Sequence, residues 1–423
     1  MKKLLAAMFA AASCASVAQA QQERISADTS APILTLEQAV AVAGGAAPSA
    51  DAANAGIEAA QANRTVAGLR PNPVAQAQIE NVAGTGPYSG LRSAETTMGV
   101  ALPIELGGKR SARVAVANAQ LSRAELEAAV AAADVRLQVT SLYVEAISAE
   151  RRLAMARDQL KIADDALQAA RVRVQAGRAS PLEEQRAEVA RINAAASLER
   201  AARLAEVARL NLARRLGRSI NGALDVALLD RLPAATYGPT VLPAASGTLT
   251  LAAADADLAV ADAGIRLARS NRVPDLNIGP ALRRLEATND TAAVFTVSIP
   301  IPLFNNGNAA VAQASAERSR VEARRRMTAL DVEQAIAEAQ AEAANAETTA
   351  RAAAGPALAA AQEAARIARI GYREGKFGQL DLLDAERTLA DTRVAAIDAL
   401  ANYQNARARL ERLTAPAPEG GNQ

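Results

Sequence analysis

The chain of 423 residues has no histidine and no tryptophan, a single cysteine, and only 2% aromatic residues. Without imidazole the usual acid–base group near neutral pH is missing, and with it the commonest nitrogen ligand for metals. The lone Cys14 lies in the first 20 residues. Those residues read as a secretory signal, with Lys2 and Lys3, an apolar run Leu4–Ala12 and a small-x-small cleavage site at Ala18-Gln19-Ala20. The run is too short to span a bilayer. Lipid attachment at Cys14 is the alternative, for which Ala11-Ala12-Ser13 is a poor lead-in. Cleavage after Ala20 leaves a chain without Cys or His, which excludes disulfides, thiol catalysis and His/Cys metal sites together.

Charge of one sign is missing as well. The chain carries 47 Lys and Arg against 45 Asp and Glu, and removing Lys2 and Lys3 with the signal brings the balance to zero. A nucleic-acid binder needs a basic excess to neutralise phosphate, so that class is set aside. With so few large aromatics, Ala, Leu and Val must form the interior, which suits helices packed side by side at close range.

What is present is a duplication. Tyr372–Arg387 reads YREGKFGQLDLLDAER, and Val174–Glu188 reads VQAGRASPLEEQRAE about 198 residues earlier. Gly177 then meets Gly375, Leu182 meets Leu380, Glu183 meets Asp381, and Ala187-Glu188 meet Ala385-Glu386. Each copy has a helix-stopping Gly followed by a Leu–acid pair opening a new helix, the signature of a sharp helical reversal. A repeat of this kind implies two similar halves rather than three ordinary domains. The boundaries read as 21–216 for the first unit, 217–247 for a Pro- and Gly-bearing connector, 248–414 for the second unit and 415–423 for a loose tail.

Within each half the hydrophobic period changes twice. Leu36–Leu69 is helical in pattern, interrupted at Gly44, Gly45 and Pro48, and stops at Arg70-Pro71-Asn72-Pro73. Strands follow at about 74–83 and 95–104, with Ala75, Ala77 and Ile79 alternating with Gln76, Gln78 and Glu80, and Met98, Val100, Leu102 and Ile104 on one side of the second. Gly107-Gly108 closes this hairpin and Lys109 opens a very long helix. There Val139, Ala146, Leu153, Leu160, Leu167 and Val174 recur every seven residues, followed at three places by Leu142, Ala149, Ala156, Ala163 and Ala170. A strict seven-residue repeat predicts left-handed coiled-coil packing. A returning helix is expected over about Pro181–Leu216. The second half repeats the plan: helix Leu249–Arg272, strands at about 275–284 and 292–301, then helix Asn308–Glu374 interrupted at Gly355-Pro356, the second tip, and a last helix to about Leu413.

A 60-residue helix is on the order of 90 Å long, which no compact domain of this size requires. The four strands have one apolar face, and four strands cannot close a membrane barrel, so entry into a membrane requires oligomerisation. Soluble hairpins capping a coiled coil are the other reading, favoured by the scarcity of girdle aromatics, for which only Tyr88, Phe295 and Phe304 are available.

Four motifs in order carry a resemblance over the whole mature chain: Arg70-Pro71-Asn72-Pro73 leading to Glu80-Asn81; Leu102-Pro103-Ile104-Glu105-Leu106-Gly107-Gly108-Lys109-Arg110; Ile299-Pro300-Ile301-Pro302-Leu303-Phe304-Asn305; and Gly375–Glu386. The chain resembles the TolC-like outer-membrane efflux factors, and in these motifs their heavy-metal (cobalt–zinc–cadmium) branch. The resemblance implies a mostly α fold with a small β part, two tandem repeats of long helices each with an inserted β-hairpin, and a homotrimer forming a twelve-stranded outer-membrane barrel on a periplasmic helical barrel. Its partners would be outer-membrane lipid, a periplasmic membrane fusion adaptor and an inner-membrane proton-driven transporter of the RND type. The chain would act as a passive exit duct, with no cofactor, no resident metal and no enzymatic step.

Carried onto this chain, the resemblance gives Gly177, Gly375 and Gly378 the shaping of the hairpin tips, and Leu182 and Leu380 the docking surface for the adaptor. Asp381 and Asp384 would ring the periplasmic constriction and favour cations. Their other reading is as first-turn carboxylates stabilising a helix N-terminus, the role that Glu183 and Glu184 suggest at the first tip. Two features depart from the branch: the poverty in aromatics, and Asn305-Asn306-Gly307-Asn308 where a basic residue is expected. Without His or mature Cys the duct cannot select zinc or cadmium by soft ligation, so selection would lie upstream. A duct for drug or protein (type I) export is the alternative within the class. A periplasmic adaptor or scaffold coiled coil is the alternative outside it, although adaptors show one helical hairpin with β-rich modules. No phosphate loop, nucleophile elbow or metal-ligand cluster supports an enzyme.

Overall fold

The computed structural model describes residues 33–234 and 245–418. The signal segment 1–20 with Cys14, part of the 217–247 connector and the end of the 415–423 tail lie outside the described residues. Helices dominate. Two short ones come first, α1 (Leu36–Ala46) and α2 (Pro48–Ala67), separated where Ala47 turns extended and Pro48 takes the first helical position. A capping box opens α1, in which the Gln38 N–H donates to Thr35 Oγ1 and the Thr35 N–H donates to Gln38 Oε1. Strands β1 (Val74–Glu80) and β2 (Glu95–Ile104) follow, then α3 (Lys109–Gln175) and α4 (Pro181–Leu216). The second half holds α5 (Leu249–Ser270), β3 (Leu276–Leu285), β4 (Asp290–Ser298), α6 (Asn308–Ala352), α7 (Leu358–Arg373) and α8 (Gln379–Leu413).

At 67 residues α3 is about 100 Å long. Most of its seven-residue pattern is buried: Val139, Ala146, Ala149, Ala156, Ala163, Leu167 and Ala170 are buried, the lower ones against α4, while Leu142, Leu153, Leu160 and Val174 are half-buried. Alanine at these places lets the two backbones approach closely. The corresponding helix of the second half does not run through. Between α6 and α7 lies one π turn, Ala353–Ala357, in which Gly355 leaves helical geometry (φ −99°, ψ −105°) ahead of Pro356. Proline cannot supply its N–H to the ladder and crowds the preceding turn, so the helix widens and bends there.

Midway along the bundle the helices meet in the main apolar cluster. Tyr143 and Ile147 of α3, Leu212 and Leu216 of α4, Leu400 and Tyr403 of α8, and Leu34 and Leu229 from flanking segments contribute to it. Tyr143 is fully buried; its hydroxyl donates to the Leu34 carbonyl at 2.6 Å and accepts from the Asp225 N–H at 2.8 Å. Burial pushes its pKa up to about 12.

The four strands form one antiparallel sheet in the order β1-β2-β3-β4. The two hairpins are joined through β2 and β3, with Met98 opposite Leu282 and Leu102 opposite Ile278. One face carries the row Ala77, Met98, Leu282, Ala293, flanked by Val100, Phe295 and Val297. The other carries Gln78, Thr97 and Arg283, with Glu80 opposite Glu95. Arg283 Nη1 and Nη2 reach Glu95 at 2.9 Å and Glu80 at 3.1 Å, so one guanidinium ties three strands.

The strand limits differ from those read in the sequence. Strand β1 stops at Glu80 rather than 83, because Asn81 takes a positive φ of 57° and its amide turns back to Glu95. Strand β4 runs 290–298 rather than 292–301. A tight turn with Asn289 at φ 55° lets pairing begin at Leu285 opposite Asp290, and Pro300 lacks the N–H to prolong it.

Candidate functional site: the paired hairpin tips

Both long hairpins reverse by the same local chemistry. At the first tip Gly177 (φ 67°) closes α3; its N–H donates to Val174 O and that of Arg178 to Arg173 O. At the second, Gly375 (φ 75°) closes α7, with its N–H on Tyr372 O and that of Lys376 on Gly371 O. This is the left-handed helix stop in which two late carbonyls are satisfied by returning amides, and a side chain at either glycine would be strained. The returning helices begin one after Ser180 and one after Gly378. Ser180 Oγ caps the Leu182 N–H, whereas at Gly378 the cap is supplied from within the helix by Asp381, whose Oδ2 accepts the Gly378 N–H at 2.9 Å.

A cross-hairpin ion pair recurs at the same offset. Arg171 reaches Glu184 and Glu188 at 3.2 and 3.0 Å, and Arg369 holds both oxygens of Glu386 through Nε and Nη2. Glu386 is buried, its partner half exposed. The hydrogen bond from Arg369 Nε to this carboxylate outweighs desolvation and raises the arginine pKa.

The two tips also touch each other. The Gln379 side-chain amide donates to the Glu183 carbonyl at 2.9 Å, the Tyr372 hydroxyl reaches Glu183 Oε2 at 3.4 Å, and the Arg173 guanidinium stacks 4.6 Å from the Tyr372 ring centre. Burial pushes the Tyr372 hydroxyl pKa up, against the opposing pull of Arg173. Beside this contact the Phe377 ring lies directly over Gly371, where an added Cβ would overlap it.

The residues singled out in the sequence all fall at this end. Leu182 and Leu380 are more than half exposed. Asp381 and Asp384 are exposed on the first turns of α8, and Asp381 also serves the helix N-terminus. Sequence reading missed Arg173, Tyr372 and Gln379, which join the tips, and the pair Arg369–Glu386. The pair had a signal: Arg171 with Glu188 and Arg369 with Glu386 obey the same 198-residue offset. Among the described residues no group of three or more His, Cys, Asp or Glu is gathered as metal ligands would be.

At the opposite end of the long helices the strand-to-helix junctions are built from different materials. After β2, Lys109 Nζ and the Leu106 N–H both bond Asp275 Oδ1, at 2.7 and 3.2 Å, and Arg113 forms a two-point pair with Glu105 while also reaching Leu69 O. The Arg113 hydrogen bond holds the Glu105 carboxyl below its ordinary pKa. At Asp275 desolvation works the other way and is outweighed by Lys109 and the Leu106 N–H, so this carboxyl too is lowered. After β4 the turn is uncharged: Asn305 and Asn306 accept from the N–H groups of Gly307 and Asn308, both at 3.1 Å. Beside this turn the stem of Arg272 packs on Gly307.

Comparison with known proteins accounts for this layout. The outer membrane efflux protein family matches residues 43–218 and 244–415, one stretch for each hairpin. The chain belongs to the outer membrane efflux protein family. Among curated family relatives it is 30% identical over 385 residues to the cobalt-zinc-cadmium resistance protein CzcC of Cupriavidus metallidurans, covering 90% of each chain. It is 31% identical over 296 residues to the nickel and cobalt resistance protein CnrC of the same organism, covering 68% of each. Its fold is that of the open-state Neisseria gonorrhoeae MtrE outer membrane channel, at a TM-score of 0.73 and 22% identity over 90% of this chain and 88% of that one. No helix among the described residues is long and apolar enough to cross a membrane.

Proposed function

We propose that the chain is the exit duct of a tripartite efflux pump: a homotrimer whose sheets close into a twelve-stranded barrel in the outer membrane and whose helices continue it as a tube through the periplasm. The observation that carries this reading is the sheet. Met98, Leu282, Phe295 and Val297 lie on one face and are each more than half exposed in the single chain, while the other face is polar. Strands β1 and β4 are the outer members of the sheet and present unpaired backbone edges. In lipid each unpaired group costs several kcal/mol, and pairing β4 of one copy with β1 of the next removes all such edges in a closed ring.

The outer helices continue the same logic. In the layer next to the sheet α2 packs on α3, α3 on α5 and α5 on α6, the order of the strands they adjoin. The tips then form the periplasmic mouth, with Asp381 and Asp384 as its acidic ring and Leu182, Leu380 and the turns at Gly177, Gly375 and Gly378 as the surface met by the adaptor, which links the duct to an inner-membrane RND transporter. Heavy-metal cations are the proposed cargo, on the strength of the metal-resistance relatives and an aperture that favours positive charge. The duct conducts and does not choose among metals, since it offers oxygen ligands alone.

Fractionated envelopes and the native mass of the detergent-extracted protein test the assembly. A trimer that sediments with outer membrane and requires detergent is expected; a soluble monomer or dimer overturns the duct. In planar bilayers, Asp381→Asn with Asp384→Asn should lower cation preference, and an unchanged reversal potential removes these residues from the gate.

A further inference from the structure

Charge is distributed unevenly along α5. Its acids Asp255, Asp257 and Asp262 lie in the part away from the sheet, and each is paired, with Arg325, Arg123 and Arg318. Nearer the sheet stand Arg266 and Arg269, with Arg272 just beyond the helix, all exposed. Among the described residues none of these three side chains has an ion pair or a hydrogen bond. The helix dipole favours a cation in the last turn, where Arg269 stands, but it fades within that turn and does not account for Arg266.

Arg266 and Arg269 line one side of a groove of about 560 Å³, and Gly107, Ser111 and Ala115 line the other. The groove opens away from the polar side of the sheet. Arg113 stands about 200° around α3 from Ser111 and turns to Glu105, which keeps the odd-numbered alternation of Thr97 and Gly99 on the polar face of β2. Asp275, the partner of Lys109, keeps the same alternation with Asn277 and Arg283 in β3. Ser111 and Ala115 thus share the side of the apolar rows. Above the groove, between the strands that continue α3 and α5, Ile104 pairs with Leu276 and Leu102 with Ile278. This apolar track leads to a hollow of about 440 Å³ at Met98, Pro280, Leu282 and Phe295. From Leu276 to Leu282 it rises about 20 Å, enough to cross half of a bilayer's hydrocarbon core, about 15 Å.

We infer that the groove seats an anionic phospholipid of the periplasmic leaflet, its phosphate held by Arg266 and Arg269 and one acyl chain laid along the β2–β3 face. The two arginines are three residues apart on one helix face, and guanidinium forks match phosphate oxygens two at a time. A free phosphate would use the arginines alone; the apolar track above them calls for a lipid. At the next junction the combination recurs, where Arg272 packs on Gly307, three residues after the fully exposed Phe304. The inference rests on the duct reading, which puts this level at the periplasmic edge of the outer membrane, and adds to it a headgroup site.

Native mass spectrometry of the full-length protein, equilibrated in micelles with phosphatidylglycerol or phosphatidylcholine, tests the seat. The trimer should retain phosphatidylglycerol in preference. Arg266→Gln with Arg269→Gln should lower that retention about tenfold at unchanged trimer mass. Arg266→Lys with Arg269→Lys, which keeps the charge and loses the fork, should lower it about threefold. Ala115→Leu fills the groove with both charges intact and should lower retention as well; it carries the test if the glutamine variant fails to assemble. Equal retention of the two lipids, or retention unchanged in either the glutamine or the leucine variant, overturns the seat and leaves the duct standing. Complete displacement of the lipid by inorganic phosphate does the same, since the groove is then an anion site only. A soluble monomer overturns the duct, and the seat with it.

Discussion

The two hairpins use the same glycine stops and the same cross-hairpin Arg–Glu pair, yet they differ in continuity. Helix α3 runs unbroken from the sheet to its tip, whereas its counterpart is split by the π turn at Ala353–Ala357. The difference extends to the ends. The first tip is closed by Ser180 and Pro181 and leaves its carboxylates to pair with Arg171; the second is closed by Gly378 and Asp381 and folds Phe377 over Gly371. Repetition therefore preserves what makes a hairpin and varies what sets its direction. A backbone stop and a buried alanine seam are required in each copy, while a bend in one arm re-aims one tip against the other.

The sharpest test of the likeness is the repeated ion pair. Glu386→Ala should cost about 1.5–3 kcal/mol, because the buried acceptor of two charged hydrogen bonds is lost, and Glu188→Ala, at an exposed pair, below about 1 kcal/mol. Denaturation of the two variants with matched Arg→Ala partners in double-mutant cycles measures both; equal couplings would make the repeats energetically equivalent. Next in size is Gly371→Ala, which should displace Phe377 and destabilise the second tip by about 1–2 kcal/mol by overpacking. Faster proteolysis around Lys376, with the Gly177 turn unaffected, is the expected readout. A tip that keeps its protection would mean that Phe377 rotates away freely.

The smallest effect contrasts the two strand-to-helix junctions with pH. Glu105 and Asp275 have lowered pKa values, so their stabilisation is present above the ordinary carboxylate range and is lost as pH falls through it and toward the folded values. Amide exchange at Lys109–Arg113 should accelerate on acidification beyond its intrinsic pH dependence, while at Gly307–Val311, held by Asn305 and Asn306, it should not. Equal responses would show that the charged junction owes its order to packing alone.

Much of this was legible in the chain. Proline and glycine mark helix ends chemically, so the limits Pro181–Leu216 and the end at Leu413 could be read closely, and seven of the eleven heptad positions read in α3 are buried. The strand faces followed from period two. The β2–β3 joint was not legible, because pairing between residues more than 170 apart leaves no local pattern. Nor was the β1 end, where Asn81 rather than a proline breaks the strand. At the tips the turn-forming residues could be named, but Arg173 on Tyr372 and Gln379 on Glu183 are contacts between elements far apart in sequence. Only the internal offset could have singled out Arg369 and Glu386.

The alanine seam has a consequence for how this protein can vary. In an ordinary core most substitutions shrink a side chain and leave a void, and neighbours relax into part of it. At the buried Ala156, Ala163 and Ala170 of α3, Ala187 and Ala194 of α4, and Ala361, Ala365 and Ala368 of α7, nothing smaller than the resident side chain is available except glycine. Mutation there runs in one direction, toward excess volume in a space with no slack, and glycine trades that strain for loss of helix propensity. The long hairpins should thus drift slowly at the seam and freely on their wet faces, and random mutagenesis should find the seam by its intolerance of every larger residue.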